Sequence, residues 1–477
     1  MEWVRSIENN VKPMVSIVMP VYNAANFLKN AIQDILRQTY KNIELICVDD
    51  GSTDKSLKML QYFSELDNRV QVICTEHKGA GEARNTGLDV ATGEYLLFLD
   101  ADDRFELNLI EKVCYVANKN DLDILIYDGS IINAVTGQQL DSMHFVRNEL
   151  LPKFQVFSYK DCIEDIFTLS DSVVWNKLYR RKHICDNNIR FQNVPYLNDM
   201  YFNHISLVTA ERIMYLNEKL IHYYRGRYNA VSSKENRNQY PLCVYEVAKE
   251  IKSKLLDLEL YESVKNAYFR SIFTEMLWTL ETMEGDAFID LYEEIKKLIS
   301  EWDVTIEKMK GIKYPDWLYD EILLMSNLQP KEFVFYLIGK YKRLYENAIN
   351  SGSNNTIKHC QKIINQKKWR FDRGLLSKNA RIVLYGAGDV GRDFYRQILE
   401  YEDVEVVAWV DKNYQNIKGE YKIVNTEKIR ELKYDKILMA IYDKRQQENA
   451  FEYLTQFVKA DRIIIPSFQE KEREGLV

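Results

Sequence analysis

Four short apolar runs, Met14–Met19, Ile43–Val48, Val70–Ile73 and Tyr95–Leu99, alternate with stretches whose apolar residues recur at helical spacing. Runs without polar alternation suit strands buried on both faces. The stripe Leu28, Ile32, Ile35 and Leu36 suits a helix laid over one of those faces. Helical patterns over Ser56–Leu66 and Ala80–Ala91 fill the later intervals. A strand–helix series of this kind predicts a largely parallel sheet and an α/β fold. Such sheets collect ligands in the crevice at the carboxyl ends of their strands. Acids stand at that edge: Asp49 and Asp50 close the second run, while Asp100, Asp102 and Asp103 follow the fourth. Their hard oxygens suit Mg²⁺ or Mn²⁺ together with a phosphorylated ligand. Asp100 and Asp102, separated by Ala101 in a turn, can reach a common cation. Ser52–Asp54 reads as a helix start whose free N–H groups suit an anion.

At 477 residues the chain exceeds what one hydrophobic core organises, so two or three domains are expected. A net charge of −7 leaves no basic footprint for nucleic acid. Seven cysteines without a CxxC pair fit reduced thiols used as small core residues, which points to the cytoplasm. Residues 1–8 lack the apolar core of an export signal. No run approaches 18 apolar residues, so no bilayer-spanning segment is expected.

Val18–Asn23, Gln38–Asn42, Val48–Asp54, Gly81–Gly87 and Gly93–Asp103 occur in the order seen in family 2 glycosyltransferases of GT-A fold. The chain resembles that family over residues 13–235, through Val174–Tyr179, Tyr196–Asp199 and Ile221–Arg225. The resemblance implies that Pro20 and Tyr22 flank a nucleotide base, with Tyr22 as the stacking face. It makes Asp50 the carboxylate that fixes the base, with Asp49 in support, and sets Arg84 near the diphosphate or base. Asp100, beside Ala101, is expected to face the ribose or the metal's water shell, and Asp102 to ligate the metal directly. Asp199 resembles the general base that deprotonates an acceptor hydroxyl as it attacks the sugar's anomeric carbon, a single displacement that inverts configuration. Asn198 departs from the pattern, which more often has Glu there. His222 is a candidate third metal ligand, and Trp175, Tyr223, Tyr224 and Arg225 are candidates for the acceptor side.

From about residue 236 the pattern turns helical; Phe269, Phe273, Met276 and Leu280 form one stripe. A second α/β pattern begins with the strand Arg381–Tyr385, followed directly by Gly386, Gly388 and Gly391 and then a helix. The strand Val404–Val410 ends at Asp411, 20 residues past Gly391, and further strands are expected at Lys436–Ile441 and Arg462–Pro466. Strand, glycine turn, helix, strand and acid make up the dinucleotide-binding fingerprint. Glycines let backbone approach a pyrophosphate, and Asp411 can meet ribose hydroxyls. The region resembles the small Rossmann-like nucleotide-binding modules appended to bacterial surface-polysaccharide enzymes. The expected division is a GT-A domain at 1–235, a helical connector at 236–375 and a Rossmann-like domain at 376–477.

The expectation is a metal-dependent, inverting hexosyl- or N-acetylhexosaminyltransferase that uses a UDP-sugar. Its acceptor would be a glycan or lipid-linked intermediate of a bacterial surface polysaccharide such as capsule. A lipid-linked acceptor would bring the protein to the inner face of the cell membrane. Two other readings stand beside it: a non-catalytic nucleotide-sugar sensor, and a nucleotide-sugar-modifying enzyme centred on the carboxyl-terminal region.

Overall fold

The computed structural model describes residues 12–134, 136–139, 145–153, 155–225, 234–283, 285–301, 316–351, 353, 356–357, 359–360, 363, 373–399, 401, 403–412, 414, 423–441 and 444–466. The amino-terminal stretch without an expected export signal lies outside them. The chain divides into two compact units, Met1–Leu280 with Asp290–Asn327, and Glu281–Ile289 with Leu328–Val477.

The first unit is built on β1 (Val15–Val21), β2 (Ile43–Asp50), β3 (Val70–Thr75), β4 (Tyr95–Phe98), β5 (Arg104–Phe105), β6 (Ile124–Asn133), β7 (Lys177–Arg180) and β8 (Ile213–Arg225). These form one sheet in the order β3-β2-β1-β4-β7-β6-β8-β5. The four amino-terminal strands are parallel, as their unbroken apolar runs require. Beyond them β7 runs antiparallel to both β4 and β6, and β5 antiparallel to β8. Helices α1 (Leu28–Leu36), α2 (Ser56–Leu66), α3 (Ala80–Val90) and α4 (Leu109–Lys119) cover this sheet. The α1 stripe of Leu28, Ile32 and Ile35 is fully buried in one cluster with Val15, Ile17 and Met19 of β1. Each such side chain contributes roughly 1.5–3 kcal/mol by leaving water.

Pro20 sits near the end of the central strand β1, where a missing N–H is usually costly. The Val18 carbonyl accepts from Leu99 N–H at 3.1 Å, so Val18 and, two residues on, Pro20 turn their backbone groups toward β4. Pairing with β4 stops at Val18 and Phe98. Pro20 therefore removes no ladder bond, and the strand stays whole up to the edge that carries the acids.

Two more helices of this unit, α5 (Arg181–Asp186) and α6 (Asn198–Thr209), flank the later strands. Between β8 and the next strand every regular element described is helical: α7 (Lys234–Gln239), α8 (Cys243–Asp257), α9 (Tyr261–Thr282), α10 (Gly285–Glu301), α11 (Asp316–Asn327), α12 (Pro330–Ser351) and a short 3₁₀ turn at Arg373–Leu375. None of the described helices is long and apolar enough to cross a membrane.

The second sheet contains β9 (Ala380–Tyr385), β10 (Val404–Val410), β11 (Ile423–Val424), β12 (Lys436–Met439) and β13 (Ile463–Ile464), all parallel, in the order β11-β10-β9-β12-β13. Ile382 and Leu384 pack with Phe394 and Ile398 of α13 (Asp389–Leu399). Val383 and Tyr385 face the other way, toward Leu454 of α14 (Lys444–Thr455). Period-two alternation along β9 thus feeds two apolar layers, the signature of a small sheet wound on both sides.

Candidate functional site

The loops that leave β1 and β2 are clasped together. Asn23, in a left-handed conformation (φ 48°), accepts through Oδ1 from the N–H groups of Thr53 at 2.8 Å and Asp54 at 3.2 Å. Asp54 returns the contact by accepting from Ala25 N–H at 3.0 Å, and also accepts from Ser56 N–H at 2.8 Å. The expected anion-binding helix start at Ser52–Asp54 is thereby corrected: α2 begins at Ser56, and the turn before it is committed to this clasp. Tyr22 projects from the clasped loop, 46% exposed, beside the partly buried Pro20. Its ring stacks on His77 with centroids 4.0 Å apart.

Asp50 also has a structural part. It is 2% exposed, and its oxygens accept from Lys78 N–H at 2.8 Å and Gly79 N–H at 2.9 Å. His77 Nδ1 lies 2.9 Å from the same carboxylate. Asp50 thus holds the 77–79 loop, and through it the ring that backs Tyr22. Asp49, equally buried, accepts from Ser52 N–H at 3.2 Å, while its Oδ1 has no hydrogen-bond partner among the described residues.

The turn after β4 carries Asp100, Ala101 and Asp102. Ala101 is buried in the core cluster, so its methyl anchors the turn and offers a ligand only backbone. Asp100 and Asp102 remain partly exposed on either side of it. Arg84 of α3, 7% exposed, donates at 2.7 Å to Asp100 and at 2.7 Å to Asn198 Oδ1. Its guanidinium also lies 5.4 Å from the centre of the Phe191 ring. Arg84 is therefore a strut from the β4 turn to the start of α6.

No group of three or more acidic, His or Cys side chains that could hold a metal occurs among the described residues. Mg²⁺ and Mn²⁺ hold several waters and bind through one or two carboxylates plus substrate phosphates, so the partly exposed pair Asp100 and Asp102 fits such an ion without a third protein ligand. Asp100 is already charge-paired with Arg84 at 2.7 Å.

Asp199 lies in the first turn of α6, behind Leu197, whose left-handed backbone (φ 60°, ψ 22°) is strained for a residue with a side chain. Desolvation pushes the Asp199 carboxyl above the usual aspartate range, against the pull of Arg84, with Asp100 adding to the rise and Lys177 opposing it. A carboxylate raised in this way is a better proton acceptor. Lys177, fully buried on β7, donates to Asp171 O at 3.1 Å, Val173 O at 2.8 Å and Asn176 Oδ1 at 2.8 Å. Burial pushes its ammonium down to about 7, with the charges of Asp171 and Asp199 resisting.

The expected third metal ligand and acceptor-side residues have these surroundings. His222 pairs across from Arg104 in the β5–β8 register, and its Nε2 meets Glu106 Oε1 at 2.9 Å, so that nitrogen is committed. Trp175 is 3% exposed and stacks on Tyr223 with centroids 5.5 Å apart, edge-on to Phe145. Trp175 and Tyr223 thus belong to the core and its lining. The Tyr224 N–H donates to Asp103 at 3.2 Å, and Arg225 closes β8.

In the carboxyl-terminal unit the glycine turn follows β9. Gly386 has φ 104°, its carbonyl accepts from Trp409 Nε1 at 2.8 Å, and Ala387 N–H donates to Asp411 at 2.7 Å. Asp411, expected to meet ribose hydroxyls, spends that oxygen on the turn itself. A Cβ on Gly388 would meet nothing within 4 Å, whereas one on Gly391 would lie 2.1 Å from the Gly386 carbonyl oxygen. Gly391→Ala should therefore destabilise this unit by about 1–3 kcal/mol. Differential scanning calorimetry of the full chain reads this as a lowered transition for that unit, and Gly388→Ala serves as the near-neutral control.

Three residues near the site escape sequence reasoning. His77 precedes the glycines of α3 and gives no signal beyond its position. Lys177 sits inside the Val174–Tyr179 motif, where a charge within an apolar strand is a cue to a buried partner set. Glu275, on α9, interrupts the stripe of Phe273 and Met276; desolvation together with the charges of Asp199 and Asp171 pushes it up to about 7, against Arg237.

The glycosyl transferase family 2 model matches residues 16–184, and a second, described as C2185-like, N-terminal, matches residues 378–464. "Glycosyltransferase GlyG" of Streptococcus pneumoniae is 30% identical over 277 residues, spanning 56% of this chain and 89% of that protein. "Putative glycosyltransferase EpsH" of Bacillus subtilis is 26% identical over 348 residues, 70% of this chain and 93% of that one. The crystal structure of S. aureus TarS 1–349 in complex with UDP-GlcNAc aligns at 20% identity and a TM-score of 0.49, covering 75% of this chain and 94% of that one. The chain belongs to glycosyl transferase family 2 and is a glycosyltransferase with a GT-A-like amino-terminal sheet.

Proposed function

We infer that this chain transfers a sugar, with inversion, from a UDP-sugar to a glycan or lipid-linked acceptor during synthesis of a bacterial surface polysaccharide. The observation that carries the reading is the Arg84 strut, which ties the acidic turn after β4 to the helix start that bears Asp199. A donor diphosphate near the turn and an acceptor hydroxyl near Asp199 would then share one crevice. Asp102 would hold the divalent cation, which offsets diphosphate charge and stabilises the departing nucleotide. Tyr22, backed by His77, offers one ring face to the base, and the loop held by Asp50 fixes that platform. Asp199 takes the acceptor proton, and the oxygen so freed forms the new bond at the anomeric carbon as the bond to the diphosphate breaks. The surface-polysaccharide role and the choice of UDP rest on resemblance to that class of transferase. The domain division at residues 235 and 375 is part of the same proposal.

A panel of UDP-sugars incubated with the full chain and Mn²⁺, with and without chelator, tests the reading through release of UDP. Metal-dependent release from at least one donor is expected; absence of both release and UDP binding overturns it. Tyr22→Ala should weaken UDP about tenfold through lost base stacking, while pyrophosphate competes equally well in both proteins. Isothermal calorimetry measures both, and a loss shared by pyrophosphate would place Tyr22 elsewhere.

A further inference from the structure

The transfer reaction leaves unused a shallow recess of about 330 Å³ where α1 and α2 meet, lined by Lys29, Lys55, Lys58, Met59, Tyr62 and Phe63. Positions 55, 58, 62 and 66 fall on one side of α2. Tyr62 and Leu66, 58% and 63% exposed, therefore extend the recess lengthwise. Phe27, also exposed, precedes Lys29 by two residues. None of the three lysines makes an ion pair with a described residue. Nearby charges do: Arg69 holds Asp67 at 2.7 Å and Arg104 holds Asp34 at 2.5 Å. Asp54 is committed to the backbone of Ala25 and Ser56, and Glu65 is the one acid within α2.

We propose that this lysine–aromatic face of α1 and α2 docks on an anionic bilayer surface. A chain of net charge −7 is repelled by such a surface as a whole, so attachment needs a local cluster of unpaired cations. Lysine stems lie along apolar surface while their ammonium groups stay at headgroup level, and tyrosine suits the same interface with a ring below and a hydroxyl above. A protein partner fits less well, since protein interfaces favour arginine and are depleted in lysine. A free phosphate fits less well too, because the recess is open and its cations are exposed. The proposal is independent of the donor and of the metal.

The test is sedimentation of the full chain with vesicles of phosphatidylcholine alone and of phosphatidylcholine mixed with phosphatidylglycerol. Binding to the mixed vesicles only, weakening as salt rises, is expected. Each lysine near an anionic surface strengthens binding roughly fivefold, so Lys29→Ala, Lys55→Ala and Lys58→Ala together should lower the partition coefficient by roughly 100-fold. Tyr62→Ser should lower it several-fold without altering the salt dependence. Circular dichroism melts should match wild type; should the triple variant melt early, Lys58→Glu alone gives the same reading, with a loss larger than that of one neutral substitution. Equal sedimentation of variants and wild type overturns the proposal, as does failure of wild type to bind the mixed vesicles. A concentration-dependent dimer in vesicle-free solution that the lysine substitutions abolish would make the face a contact between copies, and would also overturn it.

Discussion

Asp102→Asn is expected to lower Mn²⁺-dependent UDP affinity and donor turnover together, by about 10³-fold. Cation stabilisation of the diphosphate amounts to several kcal/mol, and each 1.36 kcal/mol is a factor of ten. The neighbours cannot take over the ligand role without loss elsewhere. Asp100 is paired with Arg84 at 2.7 Å, and Asp103, 2% exposed, receives the Tyr224 N–H. An asparagine keeps the size of the side chain but not its charge, so the fold should be unaffected. Calorimetry of UDP with Mn²⁺ and with chelator separates the two contributions: the variant in Mn²⁺ should resemble wild type in chelator. Metal-dependent affinity equal to wild type would remove Asp102 from the site.

Much of this arrangement is legible in the order of residues alone, because strand runs and acidic turns are local features. The run Ile43–Val48 becomes β2 with two carboxylates at its tip, and Ser56–Leu66 becomes α2 with those bounds. What the sequence conceals is where each polar group spends its hydrogen bonds. Asp50 has the pattern of a base reader, and nothing in the sequence announces that its oxygens also accept from the backbone of Lys78 and Gly79, 28 and 29 residues away. Trp175 is a large aromatic that suits the core, but its stacking partner Tyr223 comes from β8, and only the sheet order brings them together. Arg84 and Asn198 are 114 residues apart, and no periodicity announces that contact. The Asn at 198, which departs from the usual Glu, has a local consequence: it accepts from Arg84 without neutralising it. The guanidinium charge then has one carboxylate partner, Asp100, and acts on Asp199 as a neighbouring cation. The glycine turn at 386–391 is legible as a fingerprint, whereas the bond from Asp411 back to that turn is not.

Asp199→Asn should separate catalysis from binding. UDP affinity should stay near wild type, because the role proposed for Asp199 is at the acceptor hydroxyl and not at the base platform. Transfer should fall by about 10²–10⁴-fold, the usual contribution of a positioned general base. The pH profile carries the more specific signature. Since the Asp199 carboxyl is held above the ordinary aspartate range, the acid limb of kcat/KM in wild type should lie above that range, with activity lost as pH falls through the raised value. Arg84 holds the carboxyl down, so Arg84→Met should shift the limb to still higher pH, and Asp199→Asn should flatten it. Stability responds with the opposite sign to that of a salt-bridged aspartate. A carboxyl whose folded pKa is raised favours the folded state while protonated, and that contribution is lost as pH rises through the folded value. At neutral pH the neutral asparagine should therefore melt no lower than wild type, as thermal unfolding would show. A variant that keeps near-normal transfer to its acceptor would exclude Asp199 as the base. One that melts early at neutral pH would mark the residue as structural support for α6, whatever its rate.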